Sequence, residues 1–213
     1  MTKSLPSLYL ITDRHQVQKG RQFLQVIEEL LQAGVSMIQL REKDLSAAEL
    51  YPLAKKIRAL THRYKSLMLI NDRIDLAQAV GADGVQLGHH SLPIKIARKI
   101  LGLDSLIGVS THSITEIESA QNQGADFITY GPIYFTPSKA AYGAPVGIEL
   151  LPHISKTYDI PVYTLGGIKA NNIQESLQAG THGVAMISAL LADPSPTHAY
   201  QIISKKILQV GEK

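Results

Sequence analysis

Cationic and polar side chains that could bind a phosphate follow directly after short apolar runs in this sequence. Arg41 and Lys43 follow one such run, and Asn71 and Asp72 follow another. Guanidinium and ammonium groups bind phosphate oxygens through charge-assisted hydrogen bonds, and a carboxylate is a ligand type that Mg²⁺ prefers. The pattern indicates a site for a phosphorylated ligand, with Asp72 as the candidate metal ligand. The alternative for Asp72 is a cap on a helix that begins near Arg73.

A glycine pair marks another candidate anion site. Gly166 and Gly167 follow a later apolar run, and Ser188 follows the run after that. Backbone amides that glycine leaves exposed, together with a helix N-terminus, can hold a phosphate group. A plain tight turn is the alternative explanation for the two glycines.

The longest connection after an apolar run spans residues 131–146, GPIYFTPSKAAYGAPV. Long loops in compact folds are more often functional than accidental. This loop contributes Thr136, Ser138 and Lys139, which together with the two cations named above would suit a second phosphate or a diphosphate. Solvated charges on loop tips are the alternative explanation.

His112 is the candidate proton-transfer residue. It follows an apolar run and lies between hydroxyl residues, and imidazole exchanges protons near neutral pH. The alternative for this segment is structural, with Ser110 or Ser113 capping the helix that follows.

A weak internal repeat predicts the elements that position these residues. A helical pattern ends at an Ala/Gly signal and is followed at once by a continuous apolar run, at residues 32–40, 80–87, 123–130 and 178–186. Glycine ends helices readily, and a continuous apolar run is typical of a strand buried on both faces of a parallel sheet. With other β-rich runs, eight strands are predicted at 8–12, 36–40, 67–71, 84–87, 106–110, 126–130, 161–165 and 183–187. Helices are predicted at 22–33, 46–63, 73–80, 93–101, 113–123, 147–157, 171–178 and 197–209.

Eight alternating units predict an α/β fold, a single (β/α)8 TIM barrel, with residues 1–213 forming one domain. The rival is a doubly wound open sheet. That fold normally has fewer strands and a glycine-rich first turn, whereas the turn after the first strand here is TDRHQ. Barrel active sites lie at the C-terminal ends of the strands, so we expect the candidate residues to share one face.

Composition excludes several classes of function. The sequence has no cysteine, so thiolate catalysis, disulfides and thiolate metal sites are ruled out. Its net charge of +3 is modest and its basic residues are scattered, so we expect no nucleic-acid partner. Apolar runs are too short to span a bilayer and the first residues do not form a signal peptide, so we expect no membrane association and a cytoplasmic location. Assembly into a homo-oligomer stays open.

A series of motifs extends along nearly the whole chain. They are YLITD (9–13), QLREKD (39–44), LINDRIDLAQAVGADGVQLG (69–88), IGVSTHS (107–113), GADFITYGPIYFTPSK (124–139), LGGI (165–168) and GVAMISAL (183–190). Their order resembles the thiamine phosphate synthase superfamily, which includes the TenI thiazole tautomerases. For the synthase, the resemblance implies that hydroxymethylpyrimidine diphosphate ionises with Mg²⁺ assistance. The nitrogen of a thiazole phosphate then captures the cation, and diphosphate is released.

The resemblance also implies roles for individual residues. Those that would hold the diphosphate and the metal are Gln39, Arg41, Lys43, Asn71 and Asp72, with Ser110 and Lys139 assisting catalysis. Those that would bind the thiazole phosphate are Thr136, Ser138, Gly166, Gly167, Ile187 and Ser188.

The fourth predicted strand departs from the synthase pattern. Synthases typically have HLGQ, an acidic pair and LP there, whereas this chain has QLGHHSLP. Gln86 replaces the histidine, and Ser91 replaces the aspartate that would be the second metal ligand. Loss of a carboxylate weakens Mg²⁺ binding.

This departure, together with His112, favours a TenI-type thiazole tautomerase. Such an enzyme binds a thiazole carboxylate phosphate and shifts one proton, and it needs neither a metal nor another cofactor. The alternative is a Mg²⁺-dependent thiamine phosphate synthase that also binds the pyrimidine diphosphate. A third interpretation is a non-catalytic or regulatory barrel that binds the phosphate.

Overall fold

Eight parallel strands close into a barrel in the order in which they occur along the chain. A computed structural model describes residues 5–136 and 144–211. The strands are β1 Leu8–Ile11, β2 Met37–Leu40, β3 Leu67–Asn71, β4 Gly84–Leu87, β5 Leu106–Thr111, β6 Phe127–Tyr130, β7 Val162–Leu165 and β8 Gly183–Met186. The predicted (β/α)8 barrel is therefore confirmed, and the open-sheet alternative is wrong.

Helices connect successive strands on the outside of the barrel. They are α1 Phe23–Ala33, α2 Ala47–Arg63, α3 Ile74–Val80, α4 Ile94–Leu101, α5 Ile114–Asn122, α6 Leu151–Thr157, α7 Ile173–Gln178, α8 Ser188–Leu191 and α9 Pro196–Gly211. Helix α8 was not predicted, because four residues are too few to show a helical periodicity. Within the described part of the chain, no helix has the length and apolar character needed to cross a membrane.

The side chains of each strand alternate between the barrel interior and the helices. Leu10, Ile38 and Ile70 face outward and pack in the core between strands and helices. Tyr9 and Met37 face inward, as the two-residue period of a strand requires. The interior is closed by three aromatic rings, Tyr9, Phe127 and Tyr163, whose centroids lie 5.5 to 5.7 Å apart. The barrel is therefore a packed core and not a channel.

An aspartate before β6 explains part of the internal repeat. Asp126 accepts a hydrogen bond from the main-chain N of Ile107 at 2.6 Å and one from Arg98 Nη2 at 2.7 Å. Asp83 makes the equivalent contacts before β4, with the main chain of β3 and with an arginine of α2. Each aspartate therefore joins the start of its strand to the neighbouring strand and to a helix.

We predict that Asp126→Ala lowers the free energy of unfolding by about 1–3 kcal/mol, because the main-chain N–H of Ile107 loses its partner. Asp126→Asn keeps one acceptor oxygen and is expected to cost less. Urea denaturation measures both effects. The control is Asp104→Asn, at an exposed position just before β5. It should change stability by less than about 0.5 kcal/mol. Equal losses in the Asp126 and Asp104 variants would contradict this role.

Candidate active site

The candidate residues that the structure describes lie near one rim of the barrel, because all eight strands are parallel and each of these residues is close to or beyond the C-terminal end of a strand. Arg41 and Lys43 follow β2, and Asn71 and Asp72 lie at the end of β3. His112 follows β5, and Gly166 and Ser188 follow β7 and β8. Residues from the ends of different strands therefore share one face of the barrel, as expected for this fold.

Two cations and one carboxylate lie close enough to interact at the ends of β2 and β3. Partial burial lowers the pKa of Lys43, the neighbouring charge of Arg41 lowers it further, and the carboxylate of Asp72 acts in the opposite direction. The three side chains therefore carry one net positive charge. This part of the rim is suited to an anionic ligand.

The backbone at Asp72 has an unusual conformation that directs the chain away from β3. Its φ is +64°, in the left-handed region that side-chain-bearing residues rarely adopt. Its main-chain N–H donates to the carbonyl of Gln86 at 2.8 Å. Helix α3 has Arg73 at its N-cap and no side-chain cap. The alternative that Asp72 caps this helix is therefore wrong, and its exposed carboxylate faces solvent at the rim.

A chain of hydrogen bonds lies inside the barrel beneath the rim. Gln39 Nε2 donates to the Tyr9 hydroxyl at 2.9 Å, and that hydroxyl donates to Gln86 Oε1 at 3.4 Å. Gln86 Nε2 donates to Ser110 Oγ at 3.2 Å, and the Thr129 hydroxyl donates to the same oxygen at 3.4 Å. Ser110 Oγ therefore accepts from two neighbours within this network. The direction of the chain also leaves Gln39 Oε1 as an acceptor.

Sequence reasoning missed Tyr9 and Thr129 as parts of this site. Both are buried residues of strands that the sequence presents as apolar core. Burial raises the pKa of Tyr9 far above its ordinary value, although the hydrogen bond from Gln39 acts against this. The phenol therefore stays protonated in neutral solution and serves only as a hydrogen-bonding group. Its inward position in β1 was the one sequence signal for this role.

The imidazole of His112 is exposed and held in one orientation. Its Nδ1 contacts the carbonyl oxygen of Gly131, so in the neutral ring Nδ1 carries the proton and Nε2 is the acceptor nitrogen. Its main-chain N–H donates to Glu116 Oε2 at 2.5 Å. Helix α5 is capped by Ser113, whose Oγ accepts from the main-chain N of Glu116 at 3.3 Å. The structural role therefore belongs to Ser113, and Ser110 belongs to the interior network.

The glycine pair after β7 allows the loop after β7 to pack closely against the loop after β6. Gly166 and Gly167 have φ values of +95° and +68°, which favour glycine. The carbonyl of Gly166 accepts from the main-chain N of Tyr134 at 3.0 Å, and Asn172 Nδ2 donates to the carbonyl of Gly167 at 3.0 Å. A Cβ atom at position 167 would lie 2.7 Å from Tyr134 Cβ. Glycine is therefore required here both by the turn and by packing.

The remaining predicted residues are placed as follows. Ile187 is the N-cap of α8, and Ser188 is its first residue. Thr136 is half-buried and makes a polar or electrostatic contact. Ser138 and Lys139 lie outside the described residues.

The turn after β4 is closed by the residue that replaces the expected acid. Ser91 Oγ accepts a hydrogen bond from the main-chain N of Gly88 at 2.7 Å. The rings of His89 and His90 beside it are in edge-to-face contact, 5.0 Å between centroids. Among the described residues, no group of three or more carboxylate, histidine or cysteine side chains could hold a metal ion by itself.

The fold and the rim together define a (β/α)8 barrel of the class whose strand-end loops carry an active site for a phosphorylated ligand. The family model described as "Thiamine monophosphate synthase", TMP-TENI, matches residues 8–190. The chain belongs to this family of enzymes.

Curated relatives and a solved structure are similar over most of the chain. A putative thiamine-phosphate synthase of Geobacter sulfurreducens is 57% identical over 190 residues, which cover 89% of each chain. A thiamine-phosphate synthase of Clostridium botulinum is 44% identical over 86% of this chain and 89% of the other. The thiamine phosphate pyrophosphorylase of Pyrococcus furiosus has a TM-score of 0.86 and 35% identity, covering 96% of each chain.

We predict that Tyr9→Phe lowers the free energy of unfolding by about 1–3 kcal/mol, because Gln39 Nε2 and Gln86 Oε1 both lose a buried partner. Denaturation in urea measures the change. Tyr51→Phe removes the same atom from an exposed tyrosine on α2 and should change stability by less than about 0.5 kcal/mol. A Tyr9→Phe protein as stable as the Tyr51→Phe protein would show that the network contributes nothing.

Proposed function

We propose that the protein is a thiamine-phosphate synthase, which couples hydroxymethylpyrimidine diphosphate with a thiazole phosphate and releases diphosphate. The observation that carries the proposal is the grouping of Arg41, Lys43 and Asp72 within electrostatic range at the rim. A diphosphate leaving group needs cations because negative charge accumulates on its oxygens in the transition state. A tautomerase that binds one phosphate and moves one proton has no use for this group. The names of the similar relatives also support the synthase over the tautomerase that the β4 motif favours.

In the proposed reaction, the bond between the pyrimidine methylene carbon and the diphosphate oxygen breaks, and both electrons leave with diphosphate. The thiazole ring nitrogen supplies the electron pair of the new bond to that carbon. Arg41 and Lys43 would bind the diphosphate oxygens and stabilise the charge that develops there. Gln39 and Ser110, aligned by the interior network, would present an acceptor and a donor to the substrate.

The residues at the rim fit a Mg²⁺ ion shared with the diphosphate. Mg²⁺ is commonly bound through one or two carboxylates together with substrate phosphates, and Asp72 offers an exposed carboxylate with Asn71 beside it. When bound, the ion would neutralise part of the charge on the leaving group. Ser91 supplies a hydroxyl in place of a second carboxylate, and its Oγ already accepts from Gly88.

The thiazole phosphate would bind on the opposite part of the rim. Gly166, Gly167 and Ser188 follow adjacent strands, and the main-chain N–H groups of the glycine turn would donate to the phosphate oxygens. We propose the same partner for Thr136, Ser138 and Ile187, and we assign Lys139 to the diphosphate. We also propose that residues 1–213 form one barrel domain that carries this reaction.

Two parallel assays test the proposed function. One contains pyrimidine diphosphate, thiazole phosphate and Mg²⁺, and the other contains the thiazole carboxylate tautomer without metal. Formation of thiamine phosphate in the first assay is the expected result. Isomerisation in the second alone, abolished by His112→Ala, would identify a tautomerase instead. Binding of the thiazole phosphate without turnover in either would identify a non-catalytic barrel.

We predict that Ser91→Asp lowers the Mg²⁺ concentration needed for half-maximal coupling by about tenfold, because it adds a hard anionic ligand near the metal. Titration of activity with Mg²⁺ measures the change. His90→Asp is the matched control, since it places the same charge one residue away on the same exposed turn. An equal shift in both variants would mean that the added charge acts generally and not as a ligand.

A further inference from the structure

A buried carboxylate lies behind the two cations of the rim, on the segment that carries them. The side chain of Glu42, between Arg41 and Lys43, is only 1% exposed. Its Oε1 and Oε2 accept from the main-chain N of Arg14 at 3.2 and 3.1 Å, and Oε2 also accepts from Arg14 Nη1 at 3.1 Å. Arg14 begins a short 3-10 helix, Arg14–Gln16, in the loop after β1. Glu42 therefore joins the loops after β1 and β2.

The same arginine binds a second carboxylate of this segment. Arg14 Nη1 and Nη2 donate to Asp44 Oδ1 at 2.6 Å and Oδ2 at 2.5 Å, and this pairing holds the pKa of Asp44 well below its usual range. His15 Nε2 also contacts Asp44 Oδ2, at 3.1 Å. Glu42 and Asp44 thus both turn toward the β1 loop.

The main chain turns directly after Glu42, and the N–H of Leu45 donates to the carbonyl of Glu42 at 3.3 Å. Lys43 lies within electrostatic range of Arg41 and Asp72. The main chain is held at the same point, because the N–H of Arg41 donates to Thr12 Oγ1 at 2.8 Å. Glu42 and Asp44 therefore pair with the arginine of the β1 loop, whereas Lys43 lies within range of the charges at the ends of β2 and β3.

Stability alone does not account for a carboxylate in this position. The Glu42 carboxylate is buried while 27% of the Arg14 side chain is exposed, so the cost of removing the carboxylate from water offsets part of the Coulomb attraction of the pair. A carboxylate behind an anion site also repels the anion. Both costs are explained if the pair has a task in ligand binding.

We propose that Glu42 and Arg14 are positioning residues, which hold the segment so that Arg41 and Lys43 are preorganised for the diphosphate. The inference rests on the proposed function for the identity of the ligand. Arg41 and Lys43 lose conformational freedom when they bind an anion. If the main chain that carries them is already fixed, the entropy cost of binding is smaller.

Glu42→Gln separates the positioning role from a simple effect of charge, because the two predict opposite changes in diphosphate affinity. Removing a negative charge beside an anion site should tighten diphosphate binding if only charge matters. Glutamine, however, has one acceptor oxygen instead of two, and its amide N–H groups face the donors of Arg14. We expect binding of inorganic diphosphate with Mg²⁺, measured by titration calorimetry, to weaken by about tenfold. Such a change corresponds to about 1.4 kcal/mol.

Asp75→Asn is the matched control. Asp75, in the first turn of α3, forms an exposed ion pair with Arg73 at 2.5 Å, so its neutralisation removes the same formal charge without releasing the segment that carries Arg41 and Lys43. This variant should bind diphosphate as well as or better than the wild-type protein. In steady-state assays, Glu42→Gln should raise the KM of the pyrimidine diphosphate and leave the KM of the thiazole phosphate unchanged. A variant that is merely destabilised would not show that split.

A second variant keeps the test valid if Glu42→Gln does not fold. Asp44→Asn weakens the hold on Arg14 at a side chain that is 51% exposed, and it should weaken diphosphate binding in the same direction but less. When the single variants fold, the double variant Arg14→Gln/Glu42→Gln should bind diphosphate no more weakly than the worse of the two, because residues that act as a unit are not additive.

The proposal would be overturned if Glu42→Gln bound diphosphate as tightly as the wild-type protein or more tightly. If that variant does not fold, the same result with Asp44→Asn would overturn it. A wild-type protein that binds no diphosphate would also overturn it. Additive losses in the double variant would overturn it as well. Failure of the proposed function has a different signature. In that case, the wild-type protein binds diphosphate but forms no thiamine phosphate, and the variants still report on the positioning role.

Discussion

All eight strands run in the same direction around a closed ring, and the position of every polar group at the site depends on this constraint. A parallel barrel has one rim at which every strand ends, so residues far apart in sequence meet there. Asp72 and Gln86 show how directly this works, since the N–H of the first donates to the carbonyl of the second across neighbouring strands. Closure also leaves no sheet edge that needs protection from pairing with other chains.

The interior of the barrel combines apolar packing with directional hydrogen bonding. The aromatic rings of Tyr9, Phe127 and Tyr163 pack together, while the hydroxyl of Tyr9 joins two buried carboxamides. A buried polar group without a partner is costly, so each member of such a network restricts the orientation of the next. The interior network thereby restricts the orientations of Gln39 and Ser110.

The charge distribution at the rim distinguishes the proposed functions. Arg41, Lys43 and Asp72 lie together where a diphosphate would bind, and Glu42 is turned away and neutralised by Arg14. A site that holds a single phosphate needs no such separation of charges. The replacement of an expected acid by Ser91 changes the metal ligands available but leaves the cations in place. The family to which the chain belongs and the charges at its rim therefore support the same reaction, although the β4 motif favoured another.

The sequence by itself determined the fold and the strand ends that form the rim. Glycines at helix ends and continuous apolar runs are local signals, set by sterics and side-chain period, and they located all eight strands. Partners across the barrel were decided only by the tertiary structure. Tyr9 meets Gln86 across 77 positions and Arg14 meets Glu42 across 28, and neither pairing has a local signal because strand register and barrel closure create it. The same holds for Asp72, whose left-handed backbone, and not its residue type, excluded the helix cap and left its carboxylate at the rim.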